Sequence, residues 1–230
     1  MPPKKRPRAA EPFTVDVPKP LPTEFDGSHW WTEVDGRRLR LSNLTKIFWP
    51  ERGYTKGDLV AYYHNIAPRI LRYLKDRPLT LKRMPDGRNG GHFFEKDAPS
   101  YAPEWMPRCH VPHFETEFWG GRRKAGPKDY NDFLMVLDEA ALLYVANLGC
   151  IEMHPLHARC ESLDKPDYLF FDLDPAEGAR YSDVVVVAQY VRAALGAFDL
   201  PSYPKLSGMT GVQVFVPIVR GRASTRRASS

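Results

Sequence analysis

The stretch Tyr168-Leu-Phe-Phe-Asp-Leu-Asp-Pro175 decides the fold, because its apolar residues and paired acids are typical of a buried strand that ends in a polar site. A strand alternates its faces with a period of two residues. The residues expected in a core are Leu169, Phe171 and Leu173. The residues expected on the opposite face are Phe170, Asp172 and Asp174, which places the two carboxylates side by side.

Two neighbouring carboxylates at the end of an apolar strand repel each other and lose hydration, which is costly without a cation. Mg²⁺ or Mn²⁺ is the simplest partner, since both ions prefer oxygen ligands. The alternative is a helix N-cap, in which Asp174 caps a helix that begins at Pro175. The pattern alone leaves both interpretations open.

The composition predicts a globular protein. The chain has 230 residues, of which 43% are hydrophobic, enough for one large domain or two small ones. The net charge of +5 lies in the tails: residues 1–10 and 220–230 carry eight Lys or Arg and no acid, so residues 11–219 carry about −3 by the same count. A nucleic-acid surface must therefore be a local patch.

Three cysteines and no signal sequence favour a reducing, cytoplasmic compartment without a disulfide framework. No apolar run is long enough to span a bilayer, so no membrane partner is expected. Two clusters resemble zinc-ligand spacing, although neither completes a zinc signature. They are Cys109, His110 and His113, and His154, His157 and Cys160.

The stretch that follows the basic, proline-rich residues 1–24 predicts a hairpin over Trp30–Leu41 and an amphipathic helix from about Asp58 to Leu74. Lys46 and Lys56 bracket the turn before that helix, and Asn43 is nearby. These side chains and free backbone N–H groups favour a phosphate site. Solvated surface lysines are the alternative.

Three later segments add candidate residues. Phe93 and Phe94 are adjacent on a predicted strand, so at least one is expected in the core and the other is a candidate platform for base stacking. His154 is expected to point outward at a strand end, either near a triphosphate or as a structural histidine. Ser207 belongs to a glycine turn whose N–H groups suit phosphate oxygens, although a plain hairpin explains the same glycines.

In this order, the motifs resemble those of one family, the polymerase domain of bacterial DNA ligase D. This family is a branch of the archaeo-eukaryotic primase superfamily that acts in non-homologous end joining. The resemblance runs from about Gly36 to Gly221. It rests on LSNLTKIFWPERGYTKGDLVAYY (41–63), RPLTLKRMPDG (77–87), HFFEK (92–96), VANLGCIEMHP (145–155), DKPDYLFFDLDP (164–175) and PKLSGMTGVQVFVPI (204–218).

The resemblance implies a role for each candidate residue. Asn43, Lys46 and Lys56 would bind a 5′-phosphate, and Phe93 and Phe94 would stack on the template. The catalytic residues would be Asp172, Asp174 and His154. The two aspartates would hold Mn²⁺ or Mg²⁺, and His154 would lie by the incoming nucleotide and the metal. Ser207 would bind the nucleotide as part of the triphosphate-binding turn. The implied partners are double-stranded DNA ends with a 5′-phosphate, NTP or dNTP, and further Ku and a DNA ligase, in the cytoplasm at the nucleoid.

The resemblance also implies an α+β, primase-polymerase fold. An N-terminal α/β module would pack on an incomplete ferredoxin- or RRM-like catalytic module. The expected divisions are a disordered arm at 1–24, the polymerase domain at 25–221 and a disordered tail at 222–230.

Departures from the family pattern lower the expected activity. Thr210 and Gln213 stand where the family carries lysine and histidine, and the strand that bears a third metal-binding aspartate is not reached before Ser230. A truncated chain with weak or absent 3′-extension is therefore expected. The alternative function is a catalytically silent module that binds 5′-phosphorylated DNA ends. A phosphohydrolase or sugar-nucleotide transferase is disfavoured, because no Gly-Thr follows the paired aspartates.

Overall fold

The computed structural model describes residues 20–112, 129–208 and 210–220 of the chain. Their helices are α1 (Lys56–Leu74), α2 (Glu139–Asn147) and α3 (Tyr181–Gly196). Their strands are β1 (Glu24–Phe25), β2 (Trp30–Val34), β3 (Arg37–Leu41), β4 (Ile47–Trp49), β5 (Tyr54–Thr55), β6 (Pro78–Arg83), β7 (Phe93–Glu95), β8 (Arg108–Pro112), β9 (Tyr130–Met135), β10 (Cys150–Pro155), β11 (Tyr168–Leu173), β12 (Tyr203–Leu206) and β13 (Val212–Pro217).

The first module comprises β1–β10 with α1 and α2. The predicted hairpin is confirmed as β2 and β3, joined by Asp35 and Gly36 at φ 51° and 69°, the left-handed conformation that a tight hairpin turn needs. The predicted helix is confirmed as α1. It begins at a capping box in which Thr55 and Asp58 satisfy each other's backbone N–H groups.

The hydrophobic core of this module lies between its two helices and an antiparallel sheet. The strand order of the sheet is β10-β6-β9-β8, and β7 also pairs with β6. Strand β6 is central, and its Leu79 and Leu81 are almost fully buried. Helix α2 is apolar on most sides because it lies inside this core, and six of its residues are buried. The sheet therefore gives a rigid base for the residues at its ends.

The second module comprises β11, α3, β12 and β13. Its sheet has the order β11-β13-β12, so the last strand in sequence lies between the other two. Helix α3 packs on one face, where Val184 contacts the cluster formed with Val212 and Val214. Together, the two modules confirm the predicted α+β class.

The prediction that Leu169 and Phe171 lie in the core is wrong. Their exposed fractions are 38% and 39%, whereas Leu173 packs against the Val184 cluster. The physical reason is that α3 covers only one end of the sheet. Strand β11 pairs only with β13 among the described residues, which makes it an edge strand.

The cysteines were expected to form no disulfide framework, but the structure contains one disulfide. Cys109 in β8 and Cys160, 51 residues later, form a disulfide inside a small second core. The sheet brings these distant segments together, which sequence spacing does not reveal. Each zinc-like cluster thereby loses its cysteine; His113 lies outside the described residues, and no group of three metal-ligating side chains occurs among those described.

A cluster of charges around Asp167 joins the two modules. The Asp167 carboxylate accepts hydrogen bonds from Arg77 (2.6 Å), Arg159 (3.1 Å) and Arg220 (3.1 Å). Its backbone N–H donates to His157 O, and its carbonyl accepts from Ile218 N. The residue before β11 is thus tied to the start of β6, the segment after β10 and the end of β13.

Within the three described ranges, no helix is both long enough and apolar enough to cross a membrane.

We expect Asp167→Ala to lower the free energy of unfolding by about 3 kcal/mol at pH 7, because it leaves the buried guanidinium of Arg77 without its carboxylate. Urea unfolding measures this loss. Asp164→Ala, an exposed acid in the same loop, is the matched control and should shift stability by less than about 0.5 kcal/mol.

The loss of unfolding free energy in Asp167→Ala should also depend on pH. Burial raises the pKa of this carboxyl, but the hydrogen bonds from its three arginines outweigh burial and hold the pKa below its ordinary value. A depressed carboxyl pKa stabilises the fold above the unfolded pKa of about 4, and this stabilisation is lost as the pH falls through the folded pKa. The gap between wild type and Asp167→Ala should therefore narrow in acid; a constant gap would contradict this account.

Candidate functional site

The three residues predicted to bind phosphate line one cavity of about 560 Å³ in the first module. Asn43 follows β3, Lys46 precedes β4, and Lys56 opens α1. Backbone hydrogen bonds from Lys56 N to Lys46 O and from Gly57 N to Leu44 O hold the turn against the helix start. The structure therefore brings these residues together.

Lys56 is a buried cation. The residue is only 5% exposed, and its ammonium donates to the carbonyl (2.7 Å) and hydroxyl (3.1 Å) of Ser42. In the part of the chain that the structure describes, no carboxylate pairs with it. Burial, then repulsion from Lys46 and Arg83, lowers the pKa of Lys56 to about 8. Such a cation is stabilised by an anion that enters the cavity.

Lys46 and Asn43 complete this edge of the cavity. The Lys46 ammonium donates to Pro85 O (2.8 Å) and to Asp86 (2.5 Å) while remaining partly exposed. Asn43 adopts φ 54°, and its backbone carbonyl accepts a hydrogen bond from the Lys46 N–H, which makes the turn tight. An incoming anion would therefore compete with Asp86 for Lys46, whereas at Lys56 it would compete with no acid from the described residues.

Three arginines that the sequence did not assign to this cavity also line it: Arg38 and Arg40 from β3, and Arg83 from β6. The alternation of β3 indicates that Arg38 and Arg40 share one face, because they are two residues apart. Nothing in the sequence places Arg83 beside them, since that contact depends on the sheet. The cavity thus has five cationic side chains.

Arg83 connects the cavity to Phe93. Its guanidinium donates to Leu148 O, Glu95 and Tyr101, and it lies 5.2 Å from the centre of the Phe93 ring. This cation–π contact orients the ring.

The prediction that at least one of Phe93 and Phe94 lies in the core is wrong. Their exposed fractions are 44% and 54%. Strand β7 has only three residues and lies at the edge of β6, so neither of its faces is covered. Both rings are open to a flat ligand.

His154 points outward with Glu152 on β10, as predicted. Its ring lies 5.8 Å from that of Phe94 in an edge-on contact, and its Nε2 is 3.6 Å from Glu152. The histidine is half-exposed, so the stacking surface continues from Phe94 to His154.

Asp172 and Asp174 lie at the end of β11. Asp172 accepts a hydrogen bond from the Gln213 amide (3.2 Å), and Gln213 in turn accepts from Lys205 (3.1 Å), so a polar row crosses all three strands. The N-cap alternative for Asp174 is excluded, because the next helix begins at Tyr181. Two exposed carboxylates supply the hard oxygen donors that Mg²⁺ and Mn²⁺ require, so the donor chemistry fits such an ion.

The glycine turn between β12 and β13 lies against Asp174. A Cβ on Gly211 would overlap the Asp174 carboxylate and crowd the Leu173 carbonyl, so a larger residue at this position would displace that carboxylate. Ser207 N donates to Gly211 O, and Gly211 N donates to the Ser207 hydroxyl. These two N–H groups therefore stabilise the turn itself, which differs from the expectation that they face a phosphate.

Within the described ranges, no group of three His, Cys, Asp or Glu side chains is placed to hold a metal ion. Asp172 and Asp174 are thus not joined by His154 or by a third carboxylate there.

Comparison with known proteins gives one consistent family. The family described as LigD, primase-polymerase domain matches residues 55–230. The multifunctional non-homologous end joining protein LigD of Mycolicibacterium smegmatis is 33% identical over 203 residues, which cover 87% of this chain and 25% of that protein. The bifunctional non-homologous end joining protein LigD of Bacillus subtilis is 29% identical over 181 residues, 79% of this chain and 27% of that protein.

A solved structure agrees with these sequence matches. The polymerase domain from Mycobacterium tuberculosis Ligase D in complex with DNA has a TM-score of 0.67 and 29% identity, covering 79% of this chain and 61% of that chain. The present chain spans about a quarter of the length of the curated relatives it matches.

We expect the buried Lys56 to make stability depend on alkaline pH. The folded pKa of about 8 lies below the ordinary value of about 10.4, so the unfolded chain binds more protons between these pH values and wild-type stability rises there. Relative to Lys56→Met, wild type should gain on the order of 2–3 kcal/mol between pH 7 and 10.5 in urea unfolding. The exposed Lys75→Met is the control; parallel curves for wild type and Lys56→Met would contradict the expectation.

Proposed function

Because the chain belongs to the family of LigD primase-polymerase domains of non-homologous end joining, we propose that it is a DNA-end-binding nucleotidyltransferase of that repair pathway. It adds ribonucleotides or deoxyribonucleotides at breaks that carry a 5′-phosphate. Its proposed partners are double-stranded DNA ends, NTP or dNTP, and beyond these Ku and a DNA ligase. Such substrates imply action at the nucleoid.

The observation that carries the proposal is the buried, uncompensated ammonium of Lys56 in a cavity that also holds Lys46 and Asn43. A desolvated cation costs stability, and it is neutralised by a dianionic terminal phosphate. A 5′-hydroxyl end offers no such charge. We therefore assign Asn43, Lys46 and Lys56 to recognition of the 5′-phosphate.

The exposed rings of Phe93 and Phe94 support a template contact. Aromatic faces stack on unpaired bases without sequence preference. The cavity lined by Asn43, Lys46 and Lys56 is called the phosphate cavity below. Arg83 lines this cavity and also lies over Phe93, so the 5′-phosphate on the far side of a gap and the neighbouring template base fit one continuous surface. We assign Phe93 and Phe94 to the template.

The reaction is assigned to the second module. The family is metal-dependent, and we propose that Asp172 and Asp174 hold Mn²⁺ or Mg²⁺, which when bound stabilises the attacking 3′-oxygen and the leaving pyrophosphate. Gln213 orients Asp172 through its amide. Gly211 allows Asp174 to lie against the turn of Ser207, to which we assign the nucleotide together with His154.

A second candidate function is a module that binds DNA ends without extending them. It is favoured by one observation: the phosphate cavity has a full set of cationic side chains, whereas two carboxylates without a third form the acidic site among the described residues. End binding and extension therefore have separate tests.

The binding test compares recessed DNA ends that differ only in their 5′-group. We expect binding to a 5′-phosphate to be tighter than to a 5′-hydroxyl by about tenfold, the size of one charge-assisted contact. Lys56→Met and Lys46→Ala should reduce this ratio, and Lys75→Met should not. Fluorescence anisotropy measures the affinities at fixed salt. Equal affinity for both ends in wild type would refute the assignment of the cavity.

The extension test measures incorporation of a labelled nucleotide opposite a template base with Mn²⁺ or Mg²⁺. If the chain is a nucleotidyltransferase, Asp172→Asn abolishes metal-dependent incorporation while the 5′-phosphate preference is retained. Asp199→Asn, an acid in the loop after α3, is the control. No incorporation by wild type, with the 5′-phosphate preference intact, would favour the silent end-binding module.

A further inference from the structure

Three cations of the phosphate cavity form a row along β3. Arg38 and Arg40 both line the cavity from one face of this strand, and Leu39 between them is buried on the other face. Ser42 lies two residues further along the chain, and its carbonyl and hydroxyl hold the ammonium of Lys56. Cationic groups therefore follow one another at two successive two-residue steps.

The two arginines of this row are exposed and differ from their neighbour on the same strand. The Arg37 guanidinium is paired with Asp138 at 2.6 Å. Although Glu33 lies directly opposite Arg38 in the register of β2 and β3, no carboxylate in the described part of the chain pairs with Arg38 or Arg40. Both side chains therefore have N–H donors available for an anion from solvent.

The Arg38 guanidinium is supported by an aromatic ring. Its central carbon lies 4.5 Å from the centre of the Trp31 ring, and the indole N–H of Trp31 donates to Asp26 at 2.6 Å. Contact with a ring face uses the charge of the guanidinium and not its N–H donors, so these can still bind a phosphate oxygen.

The backbone of the row is held by Asn147 at the end of α2. The side-chain amide of Asn147 donates to Arg40 O (3.0 Å) and accepts from Ser42 N (3.0 Å). Since Ser42 in turn holds Lys56, these bonds set the distance between Arg40 and the buried ammonium. The row is therefore ordered before any ligand binds.

The spacing of the row matches a nucleic-acid strand. Residues two apart on one face of a β-strand are separated by about 7 Å, which is similar to the distance between successive phosphates along one strand of DNA. A terminal phosphate at Lys56 leaves Arg38 and Arg40 without a counter-ion. Each phosphodiester that follows the terminal phosphate brings one negative charge.

We propose that Arg40 and Arg38 bind the first and second phosphodiesters after the 5′-terminal phosphate, so that the strand beyond a break runs from Lys56 along β3. The proposal rests on the proposed function, because the terminal phosphate at Lys56 sets the register. The path ends at Arg38, since Glu33 opposite it and Asp26 at the supporting ring repel a further phosphate. The two arginines supply affinity for the strand, and Lys56 supplies the preference for its phosphorylated end.

The test places one uncharged methylphosphonate linkage in the 5′-phosphorylated strand of a recessed duplex end. At the first or the second linkage it should weaken binding to the wild-type protein by about threefold, the size of one exposed ion pair, and at the sixth linkage it should not. Fluorescence anisotropy measures the affinities at fixed salt. No loss at the first two linkages, or an equal loss at the sixth, would overturn the proposal.

Arginine variants connect each linkage to one side chain. Arg40→Gln should weaken binding to 5′-phosphate and 5′-hydroxyl ends by the same factor, and lower the slope of log affinity against log salt by about one. It should also remove the penalty at the first linkage and keep the penalty at the second, whereas Arg38→Gln should do the reverse. Arg192→Gln, at an exposed position of α3, is the matched control and should change none of these values. A first-linkage penalty that persists in Arg40→Gln would count against the proposal.

The ratio of 5′-phosphate to 5′-hydroxyl affinity tests the proposed function separately. Equal affinity for both ends would refute the assignment of the terminal phosphate to Lys56. An intact preference for the 5′-phosphate without linkage penalties would refute only the path along β3.

Discussion

The arrangement of the two modules depends on one carboxylate, that of Asp167, which accepts hydrogen bonds from three arginines. Arg77 is the buried member of this cluster, and it also lies 4.8 Å from the centre of the Tyr168 ring at the start of β11. Because β11 carries Asp172 at its other end, the same contact sets where the paired carboxylates lie relative to the first module. A buried cluster of opposite charges stabilises the fold only when every charged group in it is paired and hydrogen-bonded. A single substitution in this cluster is therefore expected to destabilise the junction between the modules.

The phosphate cavity differs from the Asp167 cluster in how its buried charge is balanced. Arg77 is buried with its carboxylate, whereas Lys56 is buried next to two further cations and pairs with no carboxylate among the described residues. Under the proposed function, the stability that the fold loses at Lys56 is recovered when a phosphate binds, because the phosphate supplies the missing negative charge. Perturbed ionisable groups of this type are concentrated at functional sites.

Local sequence patterns predicted those parts of the fold and site that depend on short-range geometry. Lys46 and Lys56 are ten residues apart across a single turn and a helix start, so their meeting was predictable. Arg83 reaches the same cavity only through the pairing of β6 within the sheet. Leu169 was assigned to the core because alternation predicts a common face but not which element covers it. The Cys109 disulfide was missed for the same reason, as its partner comes from a distant segment.

Arg83 gives a physical reason why the proposed sites for the DNA end and for the template base lie next to each other. Its side chain contacts Leu148 O, Glu95 and Tyr101, lines the phosphate cavity and lies over the Phe93 ring. These contacts fix the guanidinium in one orientation, so a change at the cavity wall alters the support of the exposed ring. In a gapped duplex, the downstream 5′-phosphate and the unpaired template base are neighbours along the DNA. A single guanidinium that contacts both surfaces therefore matches the spacing of the proposed substrate and requires no movement between the modules.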